Sequence, residues 1–174
     1  LELDVVDLIR TDALFIGIDP GSLSGGLVSI SDEGEIIAAD VMPDTLRDIW
    51  LWFKQQAAFT YSRIFAVLEK VHSMPNQGVA SSFTFGTNFG HLQMALTAAN
   101  IPFELCLPRN WQKGLEIAPK AKAGDKRAFK FRLLANAQQL FPAFELWSQP
   151  KTKIKQLAIA DALLMAEYCR RKFR

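Results

Sequence analysis

Three carboxylates in this chain stand where solvation does not explain them: Asp19, Glu69 and Asp161. Leu14-Phe15-Ile16-Gly17-Ile18 is an unbroken apolar run that ends on Asp19 and is stopped by Pro20-Gly21, the pattern of a core strand with an acid at its carboxyl end. Asp before Pro-Gly is also ordinary turn chemistry, its side chain bonding nearby amides. Arg63-Ile64-Phe65-Ala66-Val67-Leu68 repeats the pattern and ends on Glu69. From Leu157 to Ala166 every position is apolar except Asp161, whose helical neighbours at three and four residues are Leu157, Ala158, Leu164 and Met165. An isolated charge on such a face costs far more than a lost hydrogen bond, so Asp161 calls for a lysine or arginine, a metal ion or several donors.

Together the three acids offer oxygen ligands only. Such a set suits a hard cation, Mg²⁺ with Mn²⁺ as substitute, and lacks the soft ligands that zinc prefers. Clustered carboxylates repel one another until a cation joins them. Two such ions can activate a water and stabilise the leaving oxygen of an in-line phosphoryl displacement.

The elements between the acids must bring them to one place. A helical crossover between the strand ending at Asp19 and the strand ending at Glu69 makes the two parallel, and both acids then lie at the sheet edge where α/β folds gather their ligands. Residues 27–30 and 36–41 flank the Asp32-Glu33-Gly34 turn and read as a hairpin beside the first strand. Pro43-Asp44-Thr45 opens a helix with Asp44 as its cap and Leu46, Ile49, Trp50, Phe53 and Ala57 as its apolar face. Residues 70–78 are polar and turn-rich, and 79–90 read as a loop running into a helix, with Phe83, Phe85 and Phe89 mostly core.

A fifth strand spans residues 102–107, and 109–114 form a short helical turn carrying Trp111 and Lys113. Asp125 caps a further helix whose face is Ala128, Phe131, Leu134, Ala135, Gln138 and Phe141, and the last helix runs from about Lys153 to Arg170. The fold class that results is α/β, a five-stranded mixed sheet flanked by helices. Residues 1–12 read as a leader without chemistry, and 13–174 as one domain, because 174 residues of which 49% are hydrophobic suit a single sizeable core.

Net charge is only +2, which excludes a polybasic tail, yet Lys113, Lys120, Lys122, Lys126, Arg127, Lys130 and Arg132 fall together. Lys151, Lys153, Lys155, Arg170, Arg171, Lys172 and Arg174 form a second basic set. Either can present a positive face to a polyanion, with nucleic acid slightly ahead of solvated helix lysines. Cys106 and Cys169 lack metal-site spacing and read as buried thiols of a reducing compartment. No stretch has the length of a membrane span, and the N-terminus lacks a secretory pattern. These features point to an intracellular protein, in the cytoplasm or on the nucleoid, with an organelle left open.

Ile16-Gly17-Ile18-Asp19-Pro20-Gly21, Leu68-Glu69-Lys70-Val71-His72-Ser73-Met74-Pro75-Asn76-Gln77-Gly78, Phe85-Gly86 and Ala160-Asp161-Ala162-Leu163-Leu164-Met165-Ala166-Glu167-Tyr168 occur in order and at fitting spacings. In this the chain resembles the RuvC-like Holliday-junction resolvases, the phage and plastid branch in particular. The resemblance implies a ribonuclease H-like fold, a homodimer, and Mg²⁺-dependent nicking of opposed strands of a four-way DNA junction by two ions. It implies Asp19, Glu69 and Asp161 as the metal-binding acids, with Lys113 and Lys126 near the scissile phosphate. His72 takes a place where bacterial members put an aromatic at the junction; with Lys70, Lys120, Lys122, Arg127 and Lys130 it makes up the DNA-facing set.

One departure stands out. The family adds a fourth metal-site residue, Asp or His, three or four positions before the last acid, and here those positions are Ala158 and Leu157. The alternative reading is therefore a junction-binding protein with an impaired nuclease site. An ATP-using enzyme of the actin and sugar-kinase type shares the strand-Asp-Gly pattern but needs a duplicated second half, which 174 residues do not hold.

Overall fold

The apolar run that ends at Asp19 forms the central strand of the sheet. The computed structural model describes residues 10–22, 24–58, 61–71, 78–118, 126–142 and 153–174. Within them β1 (Arg10–Asp19), β2 (Gly26–Ser31), β3 (Ile36–Val41), α1 (Leu46–Ala58) and β4 (Tyr61–Glu69) are followed by α2 (Val79–Ala98), β5 (Phe103–Cys106), α3 (Pro108–Gly114), α4 (Lys126–Leu140) and α5 (Lys153–Phe173). The strand order is β3-β2-β1-β4-β5. β1 pairs antiparallel with β2 and parallel with β4, β2 antiparallel with β3, and β4 parallel with β5. The expected five-stranded mixed sheet flanked by helices is present. β1 begins at Arg10, inside the stretch read as a leader.

Strand parity divides the core into two layers. Leu14, Ile16 and Ile18 of β1 pack with Ala66 and Leu68 of β4 under Ile49, Phe53, Leu92 and Leu96 of α1 and α2. Ala13 and Phe15 pack with Val67 on the opposite face, under Leu133, Leu134 and Ala137 of α4 and the apolar side of α5. Since side chains alternate along a strand, Asp19 and Glu69 continue the α5-facing series, on the side from which Asp161 comes.

α5 lies unusually close to the sheet. A Cβ on Gly17 would fall 2.0 Å from the carbonyl oxygen of Ala162 and 2.3 Å from the nitrogen of Ala166, and one on Gly26 would fall 2.8 Å from the carbonyl oxygen of Ala158. Only hydrogen side chains at these two positions let the helix backbone rest on β1 and β2.

Several local expectations are corrected. Thr45, not Asp44, caps α1: its hydroxyl accepts from the Asp48 amide at 3.1 Å and donates to the Asp48 carboxylate at 2.6 Å. α1 buries Ile49, Trp52, Phe53 and Gln56, whereas Leu46 and Ala57 are exposed and Trp50 is half-buried. The reason lies in the sheet, where Ser29 Oγ needs an acceptor and donates to Gln56 Oε1 at 2.8 Å, and Asp40 accepts from Trp52 Nε1 at 2.9 Å. α2 is helical from Val79 onward, so Phe83 stands 75% exposed on it, while Phe89 packs into the α1–α2 layer.

α4 turns Leu133, Leu134 and Ala137 inward and leaves Ala128, Phe131 and Ala135 exposed, with the Arg127 guanidinium 5.9 Å from the Phe131 ring centroid. α5 runs to Phe173, whose ring stacks on Phe65 at 5.0 Å. Cys106 and Cys169 are free and buried. The cap expected at Asp125 lies outside the described residues. Among the described residues no helix is long and apolar enough to cross a membrane.

Candidate active site

The parallel register of β1 and β4 pairs Ile18 with Leu68, so Asp19 and Glu69 are the next residues on adjacent strands. Both are half-buried. Asp161, 4% exposed, comes down from α5 on the same face of the sheet. The three acids share one electrostatic environment. Burial, then the charges of Asp161 and Glu69, push the Asp19 carboxyl from its ordinary value of 3.8 up to about 8, against the opposing pull of Lys130 and the Gly21 amide. Burial also raises Glu69, helped by Asp161 and opposed by Trp111 and Lys130.

Asp161 is not alone. Lys130 reaches it from α4 and its ammonium donates to Oδ2, while Oδ1 is buried with no hydrogen-bond partner among the described residues. Burial raises the Asp161 carboxyl and the Lys130 charge opposes this. Burial in turn pulls the Lys130 ammonium down, but Asp161, Asp19 and Glu69 outweigh it and hold it above the ordinary lysine value. Lys130 thus stays protonated.

Local structure fixes each acid. Glu69 accepts at Oε2 a 3.0 Å bond from Trp111 Nε1, and Trp111 is buried under it because α3 starts directly after β5. Past Asp19, the Gly21 amide approaches its Oδ1 at 3.4 Å, and buried Asn88 of α2 donates at 2.7 Å to the Pro20 carbonyl. The loop closes tightly through Gly25, whose amide donates to the Gly21 carbonyl at 2.7 Å and where a Cβ would come 2.3 Å from the Asp19 carbonyl oxygen. Neither Trp111 nor Asn88 appears among the functional residues read from sequence. Asn88 carries a faint signal as a polar residue in an otherwise core-facing turn; Trp111 carries none.

The donor chemistry fits a hard divalent cation. All donors are carboxylate oxygens, burial and then mutual repulsion raise two of the acids, and Asp161 Oδ1 is buried with no partner among the described residues. Among the described residues no three of His, Cys, Asp and Glu stand together as an ion's ligands, and Asp161 is engaged by Lys130.

No protein-family model and no curated protein matches the chain. Solved structures do. One from Thermus thermophilus, RuvC, superposes with a TM-score of 0.59 at 17% identity, covering 91% of this chain and 96% of that one. The chain has the RuvC fold. A second structure, T. thermophilus RuvC in complex with a Holliday junction substrate, gives a TM-score of 0.56 at 15% identity, covering 93% and 96% of the two chains. At these identities the likeness is one of fold.

On this RuvC fold the remaining sequence-derived residues fall as follows. Lys113 is exposed on α3, and Lys70 is exposed directly after Glu69, its amide bonded to the Cys106 carbonyl at 2.8 Å. Lys126 is the first residue of α4, and Arg127 beside it is exposed. Lys130, also in the DNA-facing set, is half-buried and turns its ammonium to Asp161. His72, Lys120 and Lys122 lie outside the described residues. Of the second basic set, Arg170 and Arg171 bond Glu167, Lys172 pairs with Glu104 and Arg174 with Asp32. Those charges are spent within the chain. Ala158 is buried and Leu157 packs against the α5 layer of the core, so neither adds a donor to the acids.

Proposed function

We propose that this protein is a divalent-metal-dependent endonuclease that resolves four-way DNA junctions as a homodimer. The observation that carries the reading is the convergence, on a RuvC fold, of Asp19 and Glu69 at adjacent parallel strand ends with Asp161 across from them. Asp19, Glu69 and Asp161 would hold Mg²⁺, or Mn²⁺ in its place. When bound, such a cation activates water and neutralises charge on the phosphate.

The chain's own groups supply the rest. Trp111 holds the Glu69 carboxylate in one orientation, and the Gly21 amide and the closed loop at Gly25 hold Asp19. The water's oxygen bonds to phosphorus as the bond to the 3′ oxygen breaks, leaving a 5′-phosphate and a 3′-hydroxyl. Exposed Lys113 and Arg127 offer cations along the α3–α4 side to the DNA backbone, so binding falls steeply with salt. A two-fold dimer matches the symmetry of a four-way junction and nicks opposed strands.

A specific observation favours a second reading. Leu157 and Ala158 pack against the core and offer the acids no further ligand, and on this reading the protein binds junctions without cutting them. Incubation of the dimer with labelled junction and Mg²⁺ separates the two. Paired, symmetric nicks that vanish in Asp19→Asn support the nuclease. Tight binding with no nicks at high protein concentration overturns it in favour of the binding protein.

A further inference from the structure

We infer that Lys130 stands in for one of two metal ions, so that the acidic cluster takes a single divalent cation beside a built-in ammonium. The inference rests on the nuclease reading and deepens it. Its starting point is the division of Asp161: Oδ2 accepts from Lys130, and Oδ1, equally buried, has no partner among the described residues. Half of the carboxylate is satisfied by a cation of the chain's own, and half awaits one.

Charge arithmetic sets the number of ions. An ammonium and one divalent ion together match three ionised carboxylates; an ammonium and two divalent ions exceed them by two charges in a poorly solvated cleft, where such excess is costly. With the ammonium alone, three carboxylates leave the cluster over-negative by two charges. The ligand count leads to the same number. The two positions of α5 one turn before Asp161 add no side-chain oxygen, because Leu157 packs against the core and the Ala158 backbone is pressed on β2 at Gly26. The lysine therefore supplies charge where a missing ligand leaves an ion poorly held. Lys130 is suited to this, since its side chain, 44% exposed, reaches from α4 to the buried Asp161 carboxylate.

Lys130 acts as a positioning residue. It holds Asp161 and leaves the remaining oxygens of the cluster to one ion. The test is calorimetric titration of the full chain with Mn²⁺ alone, beside Lys130→Ala and Lys130→Met, the latter keeping the aliphatic stem. The expected result is one Mn²⁺ per wild-type chain and a second, weaker Mn²⁺ per chain in a folded variant. Two ions in the wild type, or a single ion in both folded variants, overturns the inference and leaves the nuclease reading standing. The wild-type stoichiometry decides even where a variant does not fold. No Mn²⁺ binding by wild type overturns the inference and the nuclease reading together.

Discussion

Gly17 of β1 lies directly beneath Ala162 of α5, so close that a Cβ on the glycine would come within 2.0 Å of the alanine's carbonyl oxygen. This contact sets the height of α5 above the sheet, and Asp161 is the residue next to Ala162. Helix height and site geometry are thus one property.

Gly17→Ala tests that coupling. The clashing atoms are helix backbone and have no rotamer by which to yield, so overpacking costs about 3 kcal/mol. For a chain of this size that lowers Tm by roughly 6–12 °C. The methyl also lifts Asp161 away from Asp19, so Mn²⁺ binding weakens in the fraction that remains folded. Thermal denaturation read by circular dichroism, paired with Mn²⁺ titration below the transition, checks both. A variant with unchanged Tm and unchanged affinity would contradict the contact.

Trp111→Phe separates orientation from packing. Phenylalanine fills most of the same buried space but cannot donate to Glu69 Oε2, which Trp111 does at 3.0 Å. Loss of a bond to a charged acceptor costs about 1.5–3 kcal/mol. Because the indole lowers the Glu69 carboxyl while burial raises it, its removal lets Glu69 rise further. On the proposed nuclease reading, the acid limb of a junction-cleavage pH profile then moves to higher pH, with kcat reduced more than KM. A profile that keeps its acid limb in place would show that Trp111 serves packing only.

The acids were legible in the sequence and their partners were not, for a definite reason. Asp19 and Glu69 each end an apolar strand run, and Asp161 is a lone acid in an apolar helical face, so local pattern alone marks them. Strand parity even places the first two on the α5 side. Which of Lys126, Arg127 and Lys130 turns inward depends on the rotation of α4 about its axis. That rotation is set by Leu133, Leu134 and Ala137, whereas the sequence shows a competing stripe through Phe131 and Leu134. The Trp111–Glu69 bond joins residues 42 apart through the docking of α3, for which no local signal exists. Thr45 and Asp44 are both good caps side by side, and only the pairing of Thr45 with Asp48 decides between them. The three phenylalanines of residues 79–90 read as mostly core, but α2 starts at Val79, early enough to carry Phe83 out to the surface.

In the metal-free protein, Asp19 makes stability fall as pH rises. Its carboxyl is raised from 3.8 to about 8 in the folded chain, first by burial and then by Asp161 and Glu69. Between those values the unfolded chain has released this proton and the folded chain retains it. The folded state thus binds more protons, and stability declines across that window and levels off above it. Asp19→Asn removes the dependence and, with chelator present at pH 8, raises Tm by at least about 4 °C. At pH 4 the two proteins should differ little. A wild-type Tm that climbs from pH 5 to pH 8 in chelator would refute this.

Glu167 pulls the other way, and the contrast locates the stability maximum. Burial alone would raise its carboxyl, but bonds from Arg170 at 2.8 and 3.0 Å and from Arg171 at 2.7 Å outweigh this and lower it below the ordinary 4.5. As pH falls, the unfolded chain takes up this proton first, so the stabilisation is present above that ordinary value and lost as pH drops through the folded one. Glu167→Gln keeps the shape and one acceptor but loses the charge, at a cost of about 2 kcal/mol at neutral pH. The cost shrinks as pH drops through the lowered titration of the folded carboxyl, because both the folded and the unfolded chain then carry it protonated. Urea denaturation at several pH values measures it. Wild-type metal-free chain should therefore be most stable at mildly acidic pH, above the titration of Glu167 and below that of Asp19. Mn²⁺ should move the maximum upward by ionising Asp19 within the cluster, while leaving the Glu167 limb where it was. A shift of both limbs on adding Mn²⁺ would mean that the ion binds away from Asp19, Glu69 and Asp161.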